Sequence, residues 1–228
     1  KMAGWIDENT QSTGLFKDTR KKLISAYASK YRFFHYELEF IEVFKERGGF
    51  DIIVGNPPWV KMLFEEGDVL GSDFPETLIR KFKAPELKPF VDKAFESAGF
   101  RELYITAQME AECNSSFSNA MQNYPLLNRQ QPNLYKLILA NSFSQLSVKG
   151  YSGLVHPRTI YDDPNGESLR EHIYKRLIYH FHFINELLLF SEVDDRLIFS
   201  INVYRGEEKN IDFLSIHNIF HPSTIDGS

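Results

Sequence analysis

The run Phe50-Asp51-Ile52-Ile53-Val54-Gly55 leads straight into Asn56-Pro57-Pro58-Trp59. The first proline fixes its own φ and has no N–H to donate. The second forces the residue before it into an extended conformation. A stiff turn just past the end of a strand follows. It presents the Asn56 side-chain oxygen and the Pro57 carbonyl as two acceptors, with the Trp59 ring beside them. Two fixed acceptors next to a flat ring suit a planar molecule that carries an exocyclic amino group.

Other residue types offer less chemistry. His156 beside Pro157 reads as a satisfied strand-end histidine rather than an acid–base group, and Asp194-Asp195 reads as a solvated loop rather than a metal site. Cys113 is the only cysteine, which excludes internal disulfides and cysteine-rich zinc sites, and no metal is expected. The net charge of −5 lacks the basic footprint of a chain that holds DNA by itself. The clusters Arg80-Lys81-Lys83 and Lys175-Arg176 read as solvated faces. No stretch approaches the run of about 20 apolar residues that a membrane helix needs, and no signal-peptide pattern opens the sequence. The expectation is a soluble, cytoplasmic protein with no membrane partner.

The elements that must position the turn follow from periodicity. Phe50 to Val54, apolar but for Asp51, reads as a strand buried on both faces of a parallel sheet. Leu134, Leu137, Ile138, Ser142 and Leu146 recur at helical spacing and are closed by Lys149-Gly150. Tyr151 to His156 reads as a second buried strand, and Asn165 to Tyr179 as a helix capped by Asn165 with Leu169, Ile173 and Leu177 on one face. Phe181–Phe190 and Leu197–Tyr204 read as a hairpin with a long loop. The domain expectation is a linker and helix over 1–30, a catalytic half-domain over 31–60 and 132–206, a mostly helical insertion over 61–131 lying over the site, and a linker over 207–228. The fold class is α/β.

These residues resemble the N6-adenine-specific DNA methyltransferases, most closely the fused restriction–modification enzymes of type IIG (the gamma group, with Asn-Pro-Pro-aromatic). The likeness rests on four blocks in order. They are His35-Tyr36-x-Leu38-Glu39-Phe40-x-Glu42-Val43-Phe44 with Gly49-Phe50-Asp51; Asn56-Pro57-Pro58-Trp59; Asn133 to Ile138 with Gly150-Tyr151-x-Gly153-Leu154-Val155-x-Pro157; and Phe190 with Phe199 to Tyr204. The resemblance implies the second half of a class I, Rossmann-like methyltransferase sheet ending in an antiparallel hairpin. It implies methyl transfer from S-adenosylmethionine to an adenine flipped out of double-stranded DNA. Asn56 and the Pro57 carbonyl would accept the two amino N–H bonds, so that lone-pair density builds on nitrogen, a preorganised electrostatic effect. Trp59 would stack on the base and Phe190 on its other face, although Phe190 also reads as strand-end core. Asn56, Tyr135 and Ile138 would border the cofactor, although Tyr135 also reads as core.

The sequence departs from the family chiefly on the cofactor side. No apolar strand ending in a glycine-rich cofactor loop precedes the catalytic turn, and no acidic residue stands ready for the ribose. The expectation is a fragment with its base pocket but without most of its cofactor site, inactive alone and self-associating through an exposed sheet edge. Two other readings stay open at this point: protein-glutamine N5 methylation, which shares the Asn-Pro-Pro-aromatic motif, and a non-catalytic interaction module that kept the fold.

Overall fold

The computed structural model describes residues 18–80 and 82–226. The chain divides into two compact units, 1–45 and 46–228, so the boundary falls later than the expected residue 30. In the first unit, α1 (Asp18–Tyr31) is followed by α2 (Tyr36–Glu39) and by the start of α3 (Ile41–Arg47). Its aromatic residues form a chain of ring contacts, Tyr27–Tyr31–Phe33 and Phe34–Tyr36–Phe40.

In the second unit, β1 (Phe50–Gly55) begins directly after Gly48-Gly49. Gly49 has φ +149°, and a Cβ there would meet the Gln145 carbonyl oxygen at 2.4 Å, so only glycine lets β1 start so close to the backbone at Gln145–Ser147. Four helices follow: α4 (Glu66–Leu70), α5 (Glu76–Ile79), α6 (Ala84–Ala94) and α7 (Ala98–Asn119). They surround their own core of Leu70, Leu87, Ala94 and Phe100. Both ends of this excursion are tied together. Lys61 bridges Asn133, Met62 N–H donates to the Pro132 carbonyl at 3.1 Å, and Leu134 N–H donates to the Val60 carbonyl at 2.9 Å.

Next come α8 (Leu134–Gln145), β2 (Leu146–Pro157), α9 (Thr159–Asp162), α10 (Glu167–Tyr174), β3 (Leu177–Ile184), β4 (Ile198–Tyr204), β5 (Leu214–Ile219) and α11 (Ser223–Asp226). The sheet order is β1-β2-β4-β3-β5. β1 runs parallel to β2 and β3 parallel to β5, while β4 is antiparallel to both of its neighbours. One reversed strand between parallel ones is a doubly wound α/β sheet that closes with an antiparallel hairpin, the expected fold class.

Several boundaries differ from the sequence reading. β2 starts at Leu146, because Leu146 pairs with Phe50 before a bulge brings Tyr151 opposite Ile52. The helix expected over 165–179 ends at Tyr174. Leu177 keeps the helical spacing of Leu169 and Ile173 but already belongs to β3, opposite Tyr204. Gly166 rather than Asn165 is the helix cap. The segment 207–228, expected as a linker, supplies β5, which pairs with β3 from Tyr179↔Leu214 onward. The expectation that β1 is buried on both faces also fails: Ile52 is 70 % exposed and Val54 79 %. β1 is an edge strand, and among the described residues nothing covers that face of it.

On the face shared by α8, α9 and α10 lies the main core, with Tyr135, Leu139, Leu154, Leu169, Ile173 and Tyr204. Each buried leucine there contributes about 2 kcal/mol. A polar network crosses this core. The His156 Nε2 lies 2.7 Å from the Tyr204 hydroxyl and accepts from Asn202 Nδ2 at 2.9 Å, while the Tyr161 hydroxyl donates to Asn202 Oδ1 at 2.8 Å. Lys136, also buried, is paired with Asp163 and donates to Gln130 Oε1, fixing the end of the insertion to α8. No helix among the described residues is long and apolar enough to cross a membrane.

Burial lowers the His156 pKa from 6.5 to about 4. Within that window the unfolded chain binds a proton that the folded chain refuses. Stability is therefore complete above pH 6.5 and falls as pH drops towards about 4, by up to about 1.4 kcal/mol per pH unit. Urea unfolding across that range should show this slope, and it should be shallower by about one proton in His156→Gln. An unchanged slope would mean that His156 does not carry it.

Candidate active site

β1 ends at Gly55, its last paired residue, opposite Leu154. Neither Pro57 nor Pro58 has an N–H to extend the ladder. The next carbonyl on β2, that of Val155, accepts instead from the Trp59 indole Nε1–H at 3.3 Å. That bond draws the turn back over the end of β2. Asn56 and Pro58 are exposed and Pro57 is buried. Among the described residues the Asn56 carboxamide makes no hydrogen bond, so its oxygen stands free at the carboxyl end of β1, where ligands bind in open α/β sheets.

Trp59 is half-buried beside an aromatic cluster on the opposite face of the sheet from the main core. Phe183 and Phe199, cross-strand partners on β3 and β4, stack at 5.2 Å with planes 5° apart. Phe190 meets Phe199 edge-on at 4.9 Å and Trp59 edge-on at 5.3 Å. Thus Trp59 and Phe190, singled out separately in the sequence, are neighbours. They are in contact with each other, however, and a base sandwiched between two rings needs them about 7 Å apart. In this arrangement Phe190 is core to Trp59, and a base reaches both faces only if the Phe190 loop moves.

That loop has an organiser which the sequence reading missed. Asn185 is fully buried at the end of β3. Its Nδ2 donates to the Phe190 carbonyl at 2.9 Å and lies 3.3 Å from the carbonyls of Val193 and Asp194, and its Oδ1 accepts from Phe190 N–H at 3.0 Å. Leu188, at φ +51°, makes the reversal. A polar residue closing an apolar strand was the available signal. Asp194 and Asp195 are exposed beside Arg196, and hydrogen bonds from Arg196 hold the Asp194 carboxyl well below the usual range.

The residues expected on a cofactor wall divide. Ile138 is half-buried on α8. Tyr135 is 1 % exposed, its hydroxyl 3.1 Å from Thr159 Oγ1 and its ring stacked on His156. Burial pushes its phenol up to about 12. Tyr135 is therefore core and presents no surface to a ligand. With β1 at the edge and Tyr135 buried in the core, Asn56 and Ile138 alone remain of the expected cofactor wall, and the described residues do not fit S-adenosylmethionine by themselves. Among them no group of three or more His, Cys, Asp or Glu is placed to hold a metal ion.

Residues 3–98 match the family model of the Eco57I restriction-modification methylase. No curated protein sequence matches the chain. Among solved structures, the chain is similar to the methyltransferase subunit of a type I restriction-modification system from Streptococcus thermophilus. The TM-score is 0.43 at 12 % identity, over 80 % of this chain and 31 % of that one. It is similar to a nuclease-deletion mutant of the Type ISP restriction-modification enzyme LlaGI in complex with a DNA substrate mimic, with TM-score 0.41, 14 % identity, and 79 % and 15 % of the two chains covered. A DrdV–DNA complex gives TM-score 0.34 at 12 % identity, covering 73 % and 14 %. The chain thus spans less than a third of each of these three structures, and the likeness to them is remote. The chain is similar to restriction-modification methylases, with the Asn56-Pro57-Pro58-Trp59 turn inside the matched segment.

If Asn185 holds the Phe190 loop, Asn185→Ala should cost about 1–3 kcal/mol in chemical denaturation, the penalty for orphaned buried polar groups. In a Trp5→Phe background, the Trp59 fluorescence should become more accessible to acrylamide. Unchanged quenching would show that the loop is held by its aromatic contacts instead.

Proposed function

We propose that this chain is the catalytic portion of a site-specific DNA adenine-N6 methyltransferase of a restriction–modification or phage-defence system, acting in the cytoplasm. The observation that carries the reading is the free Asn56 carboxamide at the carboxyl end of β1, on a turn stiffened by two prolines and anchored by the Trp59–Val155 hydrogen bond. The match of residues 3–98 to a restriction-modification methylase model supports it.

Adenine's amino group is a poor nucleophile because its lone pair is delocalised into the ring. Asn56 Oδ1 and the Pro57 carbonyl accept its two N–H bonds and favour a pyramidal nitrogen. Because both acceptors are held in place before the base arrives, little reorganisation is needed at the moment of reaction. Trp59 offers a ring face to the flipped base, a contact worth about 1–3 kcal/mol. Phe190 joins it when its loop opens. The methyl donor this reading requires is S-adenosylmethionine, whose cradle must be completed by polypeptide beyond the described residues. The bare edge of β1, with Ile52 and Val54 exposed, is where this chain by itself self-associates, because an unpaired strand edge recruits another.

In the enzyme that carries this segment, labelled methyl groups should pass to adenine in DNA and not to protein. Asn56→Ala should cut transfer by about 10²–10³-fold while DNA binding survives. Label in protein glutamine, or full activity in the variant, would refute the assignment. The 228-residue chain alone should bind S-adenosylmethionine weakly or not at all by calorimetry, and micromolar affinity would contradict an incomplete cofactor cradle.

A further inference from the structure

A second constellation lies on the α9–α10 face of the sheet, away from Asn56. His180 and His182 project from β3 on the same side, and His217 comes from β5, the strand that the sequence had disguised as a linker. The ring centroids are 6.2 Å apart for His180–His182, 5.6 Å for His180–His217 and 5.2 Å for His182–His217. All three line a cavity of about 480 Å³, together with Arg158 and an aromatic wall in which Tyr174 stacks on Phe213. His180 and His182 are only 7 % and 6 % exposed.

Each ring has one nitrogen committed. His180 Nδ1 lies 2.7 Å from Asn202 Oδ1, an acceptor, so it carries the proton and leaves the Nε2 lone pair free. His182 Nδ1 accepts from Asn218 N–H at 3.5 Å, which puts the proton of the neutral ring on Nε2. The Ser215 hydroxyl donates to the His180 carbonyl, so its oxygen accepts from His217 Nε2–H at 2.7 Å and leaves the His217 Nδ1 lone pair free. Among the described residues no other residue hydrogen-bonds the second nitrogen of any of the three rings. The neutral trio therefore offers the cavity one N–H and two lone pairs, and each added proton converts a lone pair into a donor.

The charges around the cavity favour an anion. Its single lining carboxylate, Asp162, is paired with Arg158 at 3.0 Å. Burial lowers the pKa of both His180 and His182, and the remaining contributions that lower it come from the other histidines and Arg158. The neutral groups facing the trio are Tyr161, Tyr174, Asn202 and Ser215. Protonated imidazoles here repel one another and lack a counter-charge, which a multivalent oxyanion would supply. A metal does not suit the trio, which is not placed to hold one.

We propose that this cavity is a proton-coupled site for a phosphate monoester, either a free mononucleotide or the 5′-phosphate of a nucleic-acid strand. His182, His217 and Arg158 contact the phosphate, and the Tyr174–Phe213 wall lies beside the group it carries. A bound phosphate supplies the missing counter-charge and so favours protonation of the imidazoles it touches, which couples its binding to proton uptake and strengthens it as pH falls. The reading is independent of methyl transfer at Asn56.

Calorimetry with inorganic phosphate at constant ionic strength tests it on the intact chain. Affinity at about pH 6 should exceed that at about pH 8 by about tenfold or more. His217→Gln, at an exposed position, and Arg158→Gln, at a half-exposed one, should each abolish the difference or weaken binding at about pH 6 by about tenfold, with the unfolding midpoint retained. Binding of dAMP or of a 5′-phosphorylated oligonucleotide, whichever is tighter, identifies the source; an unphosphorylated oligonucleotide should not compete. Equal affinity at both pH values, indifference to both substitutions, or zinc uptake by the three histidines at about pH 8 without any phosphate effect at about pH 6 would each overturn the proposal.

Discussion

Two adjacent residues without a backbone N–H determine where the sheet stops and what stands at its edge. Pro57 and Pro58 cannot extend the pairing that ends at Gly55↔Leu154. The Val155 carbonyl just beyond is taken by an indole instead of a backbone amide. A single side-chain bond thereby replaces a ladder bond and sets the direction in which the chain leaves the strand. Asn56, between the last paired residue and the first proline, is left with a carboxamide that no neighbour among the described residues consumes. The aromatic cluster of Phe183, Phe199 and Phe190 sits beneath Trp59 and supports the indole from the sheet side.

The sheet then serves two faces of different character. One carries helices over an apolar core threaded by His156, Asn202, Tyr204 and Tyr161, whose hydrogen bonds satisfy one another. The other carries the aromatic cluster near the carboxyl ends of the strands and leaves Ile52, Val54 and Tyr151 open lower down. The reversed strand β4 contributes to both, with Asn202 and Ser200 on one side and Phe199 and Ile201 on the other. Alternation along one strand is enough to supply both environments.

Much of this was legible in the residues. The apolar run into Asn56-Pro57-Pro58-Trp59 identified a strand and its stop because prolines act locally. The tail was misread because Leu214–Ile219 alternates only weakly and lies between turn formers, while its partner β3 is more than thirty positions earlier. Pairing at that distance leaves no local trace. For the same reason His180 and His182 looked like ordinary members of a β-rich run: their companion His217 belongs to the misread segment. Leu146 and Leu177 each satisfied helical spacing from the preceding helix and also opened a strand, an ambiguity that periodicity cannot resolve. Phe190, which meets Trp59, is hydrogen-bonded through both its N–H and its carbonyl to Asn185, a partnership that no spacing rule encodes.

The clasp that joins Val60–Met62 to Pro132–Leu134 has an evolutionary consequence. It returns the polypeptide to nearly the place it left, immediately after the indole anchor, whatever lies between. The entropic cost of a longer excursion grows only logarithmically, about 0.6 kcal/mol for each doubling. The helices between the two arms can therefore be swapped, grown or trimmed as a cassette, each around its own small core, without shifting Asn56. Sequences that share this turn are free to vary between the two arms of the clasp while the position of Asn56 stays fixed.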